Sequence, residues 1–446
     1  MRRICLTLPT NRACPETIAA LGEEAVHAAG HADHTDGTDG TDVHVLILDS
    51  CAADVRAEHT AAVRRLPAHP RVTVHHLDED RQRDFLTRTV ARSGLAKPDL
   101  LLDLLLPDGL SYGACTNRAF LVAAALGCAS VHRRDSDSRY QHLDGHAVFP
   151  VDHEVAVIGS RAADAAARVT ATDLPPGHGD RRVAMVGASF IGEPSVDIAP
   201  LRAADPDVYR DVVGLWAPGH WSAERKHGLA DESFTGAGTT PFTEDHALLT
   251  HVDPMRVDMC NIAFHGVHER VPLPPARDTI GSDYLLIHLV HDARLPGVLH
   301  NRHIVNYHTG ERRTDAGFLA YQTRFVKFLL SMLYFHHVYD RMAEAGDTLL
   351  DADGAVRGDA VAAFARESTA LDRTENEQRL DAVDTAYRRL GGRWTGVADL
   401  LAAHRERLLD EARDDMADFA LLTEAWQPLM AAAKATALDE PAGRPG

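Results

Sequence analysis

The chain has 446 residues, of which 45% are hydrophobic and 25% are charged, and its formal net charge is −19 at pH 7. This composition is typical of a globular protein with a large core in about two or three domains. The negative charge argues against nucleic acid or an anionic membrane surface as the main partner, although a metal ion can still bring small anions to an acidic site.

Cysteine usage and hydropathy predict the compartment. The six cysteines are scattered without a C-x-x-C pair, which favours a reducing cytosol over a disulfide framework or a zinc ribbon. The apolar run near the N-terminus is too short for a signal peptide, and no segment reaches the roughly 18 apolar residues of a membrane span. We therefore expect a cytoplasmic protein without membrane insertion.

Short apolar runs alternate with helical patterns in the first third of the chain. Residues 4–8 predict a buried strand that Pro9 ends, and a helical pattern begins at Pro15. Residues 30–42 are rich in His, Asp, Gly and Thr and predict a flexible loop. Further strands are expected over 43–50 and 71–76. This order predicts an α/β fold with a mainly parallel sheet flanked by helices.

Polar residues follow three of the predicted strands, at the strand ends where ligands of such sheets bind. They are Pro9-Thr10-Asn11, Asp49 and the pair Asp135 and Asp137, which follows a helical run over 117–127 and a short strand. Two carboxylates separated by one residue can hold Mg²⁺ or Mn²⁺ against a diphosphate, and the alternative is a solvated turn. We expect these segments to converge on one crevice.

The remainder of the chain divides into a region of mixed character and a helical region. Residues 186–192 resemble a dinucleotide-binding Gly-rich loop but lack its middle glycine, and Pro194 stands where the helix should be established, so we predict a strand and turn instead. From about Thr314 the pattern is helical. Large apolar side chains recur there at three- and four-residue spacing: Phe318, Tyr321, Phe325, Phe328, Met332 and Phe335. This stripe predicts a C-terminal region that packs on the catalytic domain or forms a homodimer contact.

The order of the motifs over roughly residues 4–310 resembles that of GT-A fold glycosyltransferases. The nearest relatives in style are the large inverting family that includes cellulose and hyaluronan synthases. The strand-end turn Leu8-Pro9-Thr10-Asn11, the strand-end Asp49 and the Asp135-Ser-Asp137 motif are each similar to a family motif. Four departures suggest an outlying branch: Asn-Arg, Cys-Asn and Ser-Asp stand where the family has Arg-Asn, Gly-Asn and Glu-Asp, and two arginines precede the metal motif.

The resemblance implies a GT-A-like catalytic domain over 1–313, with a nucleotide-sugar part over about 1–150 and an acceptor part over 151–313, and a helical region over 314–446. The implied function is metal-dependent transfer of a sugar, with inversion, from a UDP- or GDP-sugar to a small soluble acceptor. Two alternatives stay open: a sugar-phosphate nucleotidyltransferase, and a catalytically silent nucleotide-binding or scaffold protein of the same fold.

Individual residues receive the following expected roles. The donor would contact Pro9, Thr10, Asn11, Asp49, Asn117, Arg118, Arg134 and Asp135. A divalent cation, Mn²⁺ or Mg²⁺, would be held by Asp135 and Asp137 with either His303 or His308. The acceptor side would include Asn261, Trp216 and Trp221, although burial in the core is the commoner fate of Trp.

Two sets of roles remain open from the sequence alone. Arg133, Arg134 or Arg139 would either bond phosphate or form structural ion pairs with the carboxylates. The catalytic base is expected at Asp283, with Asp278 as the second candidate, and the alternative for Asp283 is a helix N-cap.

Overall fold

The computed structural model describes residues 2–30, 40–307 and 314–438. Its strands, numbered in chain order, are β1 (Arg3–Thr10), β2 (Asp42–Asp49), β3 (Val72–Asp78), β4 (Ser130–Arg134), β5 (Ser138–Arg139), β6 (Gln141–Leu143), β7 (His146–Val148), β8 (Ala171–Asp173), β9 (Met185–Gly187), β10 (Phe190–Gly192), β11 (Ala247–Thr250), β12 (Asn261–His265), β13 (Gly297–His300) and β14 (Ile304–Asn306).

Helices flank these strands and fill the C-terminal third. They are α1 (Pro15–Gly30), α2 (Ala53–Arg64), α3 (Glu79–Ser93), α4 (Pro98–Leu105), α5 (Tyr112–Ala125), α6 (Val151–Val157), α7 (Ala162–Ala165), α8 (Ala199–Ala204), α9 (Pro206–Val213), α10 (Ala223–Glu232), α11 (Val267–Arg270), α12 (Leu285–Asp292), α13 (Asp315–Ala345), α14 (Gly358–Ser368), α15 (Thr374–Leu390), α16 (Arg393–Ala403) and α17 (Arg405–Lys434).

The central sheet has nine strands in the order β3-β2-β1-β4-β12-β9-β13-β11-β8. Neighbours from β3 to β4 are parallel, as are the pairs β9–β13 and β8–β11, whereas β12 runs antiparallel to both of its neighbours. The chain leaves β1 toward β2 and β3 and returns on the other side of β1 as β4. The strand order therefore reverses between β1 and β4, and the carboxyl ends of these two strands border the crevice where open α/β sheets bind ligands.

Alternation along the first strands explains why helices cover both faces of the sheet. In β1 and β2 the buried side chains of Ile4, Leu6 and Val45 join the core beneath α1 and α2, and those of Cys5 and Leu46 join the core beneath α3 and α5. Because successive side chains point to opposite faces, a strand that is apolar throughout needs a partner layer on each side.

The predicted C-terminal helical region is confirmed, and it belongs to the same hydrophobic core as one face of the sheet. All six residues of the predicted stripe in α13 are buried. Polar contacts connect the layers as well: the indole Nε1 of Trp426 donates to the carbonyl of His268 at 2.9 Å, and Lys327 Nζ donates to the carbonyl of Arg277 at 2.7 Å. The stripe therefore packs within the chain, and a homodimer contact stays a prediction.

The structure confirms the predicted α/β fold class with a mostly parallel central sheet. The strand expected over 186–192 is present as β9, which already begins at Met185, and a second strand, β10, stands where a turn was expected. Most of the expected loop over 30–42 lies outside the described residues. Among the described helices, none is long and apolar enough to cross a membrane.

Candidate functional site

A cavity of about 730 Å³ opens at the carboxyl ends of β1 and β4, which is a typical size for a ligand pocket. Pro9, Thr10 and Asn11 line it from the end of β1, and Asp135 and Asp137 line it from the end of β4. The structure thus brings together the strand-end segments that the sequence singled out, at the switch point of the sheet.

Strand alternation separates two adjacent arginines on β4. Arg133 points into the cavity, whereas Arg134 points to the other face and is 1% exposed. There Arg134 forms ion pairs with Glu24 at 2.7 Å and with Glu154 at 2.9 Å, and both carboxylates are fully buried. Arg134, which we expected at the donor, is therefore a buried structural cation, and its neighbour Arg133 is the one that faces a ligand.

Arginines bridge the carboxylates on the cavity wall. Arg133 contacts Asp135 at 3.1 Å and Asp283 at 2.5 Å, and Arg12 contacts Asp137 at 2.5 Å. These arginines therefore form ion pairs with carboxylates, which was one of the two alternatives. The other, a bond to phosphate, stays open because a phosphate in this cavity would compete for the same guanidinium groups.

The cavity still carries an excess of negative charge. Eight carboxylates and four arginines are among its lining residues. Burial, together with the neighbouring Asp137, Asp283 and Asp258, raises the pKa of Asp135 to about 6 against the opposing effect of Arg133. A carboxylate in such surroundings is stabilised in its ionised form by an added cation, so the donor set of Asp135 and Asp137 fits a hard divalent metal ion.

Arg118 on α5 also lines the cavity and is 6% exposed. Its Nε donates to Gln82 at 2.8 Å and one terminal nitrogen donates to the carbonyl of Leu105 at 2.8 Å, so the side chain is held in place by neutral partners. Within the described residues it forms no ion pair, and burial lowers the pKa of its guanidinium. A buried arginine without a carboxylate partner is well suited to bind an anionic ligand.

Two of the expected donor residues hold the protein together instead. Asn117 exchanges hydrogen bonds with the backbone of Leu273, donating to its carbonyl and accepting from its amide at 2.8 Å each. Asp49 is fully buried and accepts hydrogen bonds from His59 and His76 at 2.8 Å each. Although burial opposes it, hydrogen bonds from His76, Cys51 and His59 hold the pKa of Asp49 well below its usual range. The neighbouring Leu48 and Ser50 line the cavity.

Asp49, Cys51 and His59 lie close enough to be compared with a metal site, because one potential ligand atom from each lies within 4.8 Å of the others. However, His59 donates from Nδ1 to Asp49 and accepts at Nε2 from the amide of Cys14 at 3.0 Å. A metal ion would have to displace one of these bonds, so the group fits a hydrogen-bonded support for the cavity floor better than a metal centre.

The two candidate histidine ligands differ in what the structure says of them. His303 accepts a hydrogen bond at Nδ1 from the amide of Ser189 at 3.2 Å, and it is not among the residues that line the cavity. His308 lies outside the described residues. Asp258, which the sequence analysis missed, lines the cavity instead and raises the pKa of Asp135.

Of the three residues expected on the acceptor side, one lines the cavity and two do not. Trp216 lines the cavity, whereas Trp221 does not and is covered by the guanidinium of Arg225 at 3.3 Å from the ring centre. Asn261 is fully buried and donates to the carbonyls of Ser189 and Arg302 at 3.2 and 3.0 Å, which ties β12 to neighbouring segments. The residues just before it, Met259 and Cys260, reach the cavity.

Both candidate bases line the cavity. Asp283 is 5% exposed and its carboxylate is held by Arg133, whereas the Asp278 side chain is 57% exposed and lies 3.9 Å from Arg324. The alternative role of Asp283 as an N-cap is not what the structure shows, because the residue before α12 is Tyr284 and no side chain caps that helix. Tyr284 donates its hydroxyl hydrogen to Asp258.

The chain belongs to a family of unknown function, DUF6271, which matches residues 2–442. No curated protein matches it.

Proposed function

We propose that this protein is a glycosyltransferase that moves a sugar from a UDP- or GDP-sugar to a small acceptor, with inversion and with the help of Mg²⁺ or Mn²⁺. The observation that carries the proposal is the convergence of Thr10, Asn11, Arg118, Asp135 and Asp283 on one cavity at the switch point of the sheet. These residues come from four separate segments, and each supplies a group that such a transfer requires. A cytoplasmic location and a GT-A fold remain part of the proposal.

The donor half of the cavity contains cations suited to a diphosphate. Arg118 would bond it with the part of its guanidinium that its neutral partners leave available, and Arg133 would exchange a carboxylate for a phosphate oxygen. Asp135 and Asp137 would hold the divalent cation, which would neutralise charge that builds on the departing diphosphate.

The acceptor's proton would go to Asp283. In the structure this carboxylate is bound to Arg133 at 2.5 Å, so the guanidinium occupies an oxygen that would accept the proton. A diphosphate that draws Arg133 away would leave this oxygen of Asp283 free to accept the proton. The same arginine would therefore couple donor binding to activation of the base, so that the acceptor is deprotonated only when a donor is present.

The test is ligand binding followed by product analysis. Thermal unfolding and titration calorimetry would be measured with UDP, GDP, UDP-glucose and GDP-mannose, each with and without Mn²⁺. We expect one nucleoside diphosphate to stabilise the protein only with Mn²⁺, by about 2.7 kcal/mol at 100 times its dissociation constant. Asp135→Asn should abolish the effect, and Asp173→Asn, on the exposed edge strand β8, should preserve it.

Different results would favour the other two functions. Release of pyrophosphate from a nucleoside triphosphate and a sugar phosphate would identify a nucleotidyltransferase. Absence of any stabilisation by nucleotides, with or without the metal ion, would refute the enzyme proposal and leave a silent binding or scaffold protein.

A further inference from the structure

One wall of the cavity is aromatic and apolar, in contrast to the charged wall at the ends of β1 and β4. Trp216, Phe234 and Phe328 line the cavity and form a triangle with ring centres 6.1 to 6.2 Å apart. Met332 and Ile280 extend this surface. None of these residues belongs to the strands and helices that contribute the donor groups, so the cavity has two chemically different halves.

The polar atom of the aromatic wall is turned away from a ligand. The indole Nε1 of Trp216 donates to Ser233 Oγ at 2.9 Å, and that hydroxyl donates in turn to the carbonyl of Leu229 at 2.5 Å. Because the only hydrogen-bonding atom of the indole is already satisfied by protein, the ring offers an apolar face. A sugar hydroxyl would gain little from this wall.

The second ring of the wall, Phe234, stands on a strained backbone. Phe234 has a φ of 63°, a left-handed conformation that is a rare outlier for a bulky side chain. Two residues later Gly236 passes so close to Phe190 that a Cβ would lie 2.5 Å from its carbonyl oxygen. The tight approach at Gly236 restricts the path of the segment, and Phe234 presents its ring to the cavity from a strained backbone.

The aromatic wall adjoins the segment that carries the proposed base. A Cβ on Gly281 would lie 2.9 Å from the ring of Phe328, so the backbone two residues before Asp283 is in direct contact with this wall. Asp283 follows this contact by two residues and lines the same cavity as Phe328 and Trp216, so a ring stacked on this wall can present a substituent to Asp283.

We infer that the acceptor is a small molecule with a planar aromatic ring that bears a hydroxyl group, an inference that rests on the proposed function. The ring packs on Trp216, Phe234 and Phe328 with its hydroxyl toward Asp283. In the transfer, the hydroxyl oxygen forms a bond to the anomeric carbon and its proton passes to Asp283. The bond from that carbon to the diphosphate oxygen breaks, and the electron pair leaves with the diphosphate.

The experiment uses 4-methylumbelliferone as an aromatic probe and methyl glucoside as a sugar probe, each measured by calorimetry with and without UDP or GDP and Mn²⁺. We expect the aromatic probe to bind and methyl glucoside not to bind. Trp216→Ala should weaken the aromatic probe about tenfold or more, because stacking and apolar burial are both lost. Trp221→Ala is the matched control on the same connector and should change nothing.

A second variant keeps the test informative if Trp216→Ala does not fold. Phe234→Gly removes a ring from the wall and places a residue that tolerates positive φ at the strained position, so it should fold and still weaken the aromatic probe. Nucleoside diphosphate binding should be unchanged in both variants.

Three outcomes separate this inference from the proposed function. Binding of methyl glucoside in place of the aromatic probe, with nucleotide binding intact, would overturn the inference alone. Displacement of the aromatic probe by UDP or GDP would also overturn it, because the wall would then hold the nucleobase. Trp216-dependent binding of the aromatic probe without any nucleotide binding would overturn the proposed function and leave an aromatic-ligand site.

Discussion

Replacing Arg134 by methionine would remove one cation from a fully buried cluster. Arg134 forms four hydrogen bonds to two carboxylates, at 3.1 and 2.7 Å to Glu24 and at 3.0 and 2.9 Å to Glu154. Glu154 also accepts from His132 Nδ1 at 2.7 Å. Methionine fits a similar volume but leaves the two carboxylates without their common partner.

Removal of one partner from a buried ion pair typically costs about 3–5 kcal/mol, and we expect Arg134→Met to lower the free energy of unfolding at pH 7.5 by at least that amount. The loss should depend on pH in a defined direction. In the native protein burial opposes ionisation of Glu154, but Arg134 and His132 lower its pKa to about 2. Its contribution to stability is therefore present above its unfolded pKa of about 4.5 and is lost as the pH falls toward 2.

In the variant the difference between the folded and unfolded pKa of Glu154 reverses its sign, because burial without the arginine raises the pKa above its unfolded value. Glu154 then takes up a proton on folding at mildly acidic pH, and the difference between the variant and the native protein should shrink as the pH falls from 7.5 to 5. Urea unfolding followed by circular dichroism at both values measures this. Arg139→Met, which breaks an exposed ion pair with Glu16, is the control and should have no measurable effect. A loss below about 1 kcal/mol that is equal at both pH values would refute the reasoning.

Three further predictions concern the base, a buried acid and a close backbone approach. Asp283→Asn should reduce kcat about 10²–10⁴-fold without weakening donor binding, since it releases Arg133 for the diphosphate, and near-normal turnover would move the role to another group. Asp292 ends α12, and burial raises its pKa to about 7. Asp292→Asn should therefore stabilise the protein by about 1–3 kcal/mol above pH 7 and hardly at all near pH 4. Urea unfolding at both pH values measures this, and an equal gain in stability at both would contradict it. Gly113→Ala should lower the melting temperature because its Cβ would lie 1.9 Å from the carbonyl oxygen of Pro274, whereas Gly228→Ala, where nothing lies within 4 Å, should raise it slightly; similar shifts in both would contradict the close approach.

The fold class could be predicted because its signals are local. Strands β1 and β2 are short runs of mostly apolar residues, and the stripe in α13 follows the helical period over several turns. The order of strands beyond β4 could not be predicted in the same way. Strand β12 pairs with β4 across more than a hundred residues and also with β9, and such pairings depend on register and distant packing.

The site was predictable at the level of segments and less so at the level of side chains. The segment around Asp135 reaches the cavity. Whether Arg133 or Arg134 faces the cavity depends on which of the two alternating sets of β4 side chains points toward α1. Glu24 is the residue that decides this, and it lies 110 positions earlier in the chain. Asp49 likewise looked like a ligand-binding carboxylate because it ends a strand, and its partners His59 and His76 are brought to it only by the fold.

The aromatic wall carried a local signal that the sequence analysis interpreted differently. Phe328 and Met332 belong to the stripe that predicted packing, and in the structure some of the same side chains also border the cavity. Periodicity identifies the buried face of a helix, but it does not distinguish a core contact from a ligand contact when both lie on that face.

The double role of α13 has a consequence for how this family can diversify. One helix supplies both the interior of the fold, through residues such as Phe325 and Leu329, and part of the cavity wall, through Phe328 and Met332. A change of ligand that required new side chains on this helix would also disturb the packing of the core. New specificities should therefore arise at Trp216 and Phe234, which lie outside α13, and recombination that exchanges the C-terminal helices between relatives should produce insoluble chimeras.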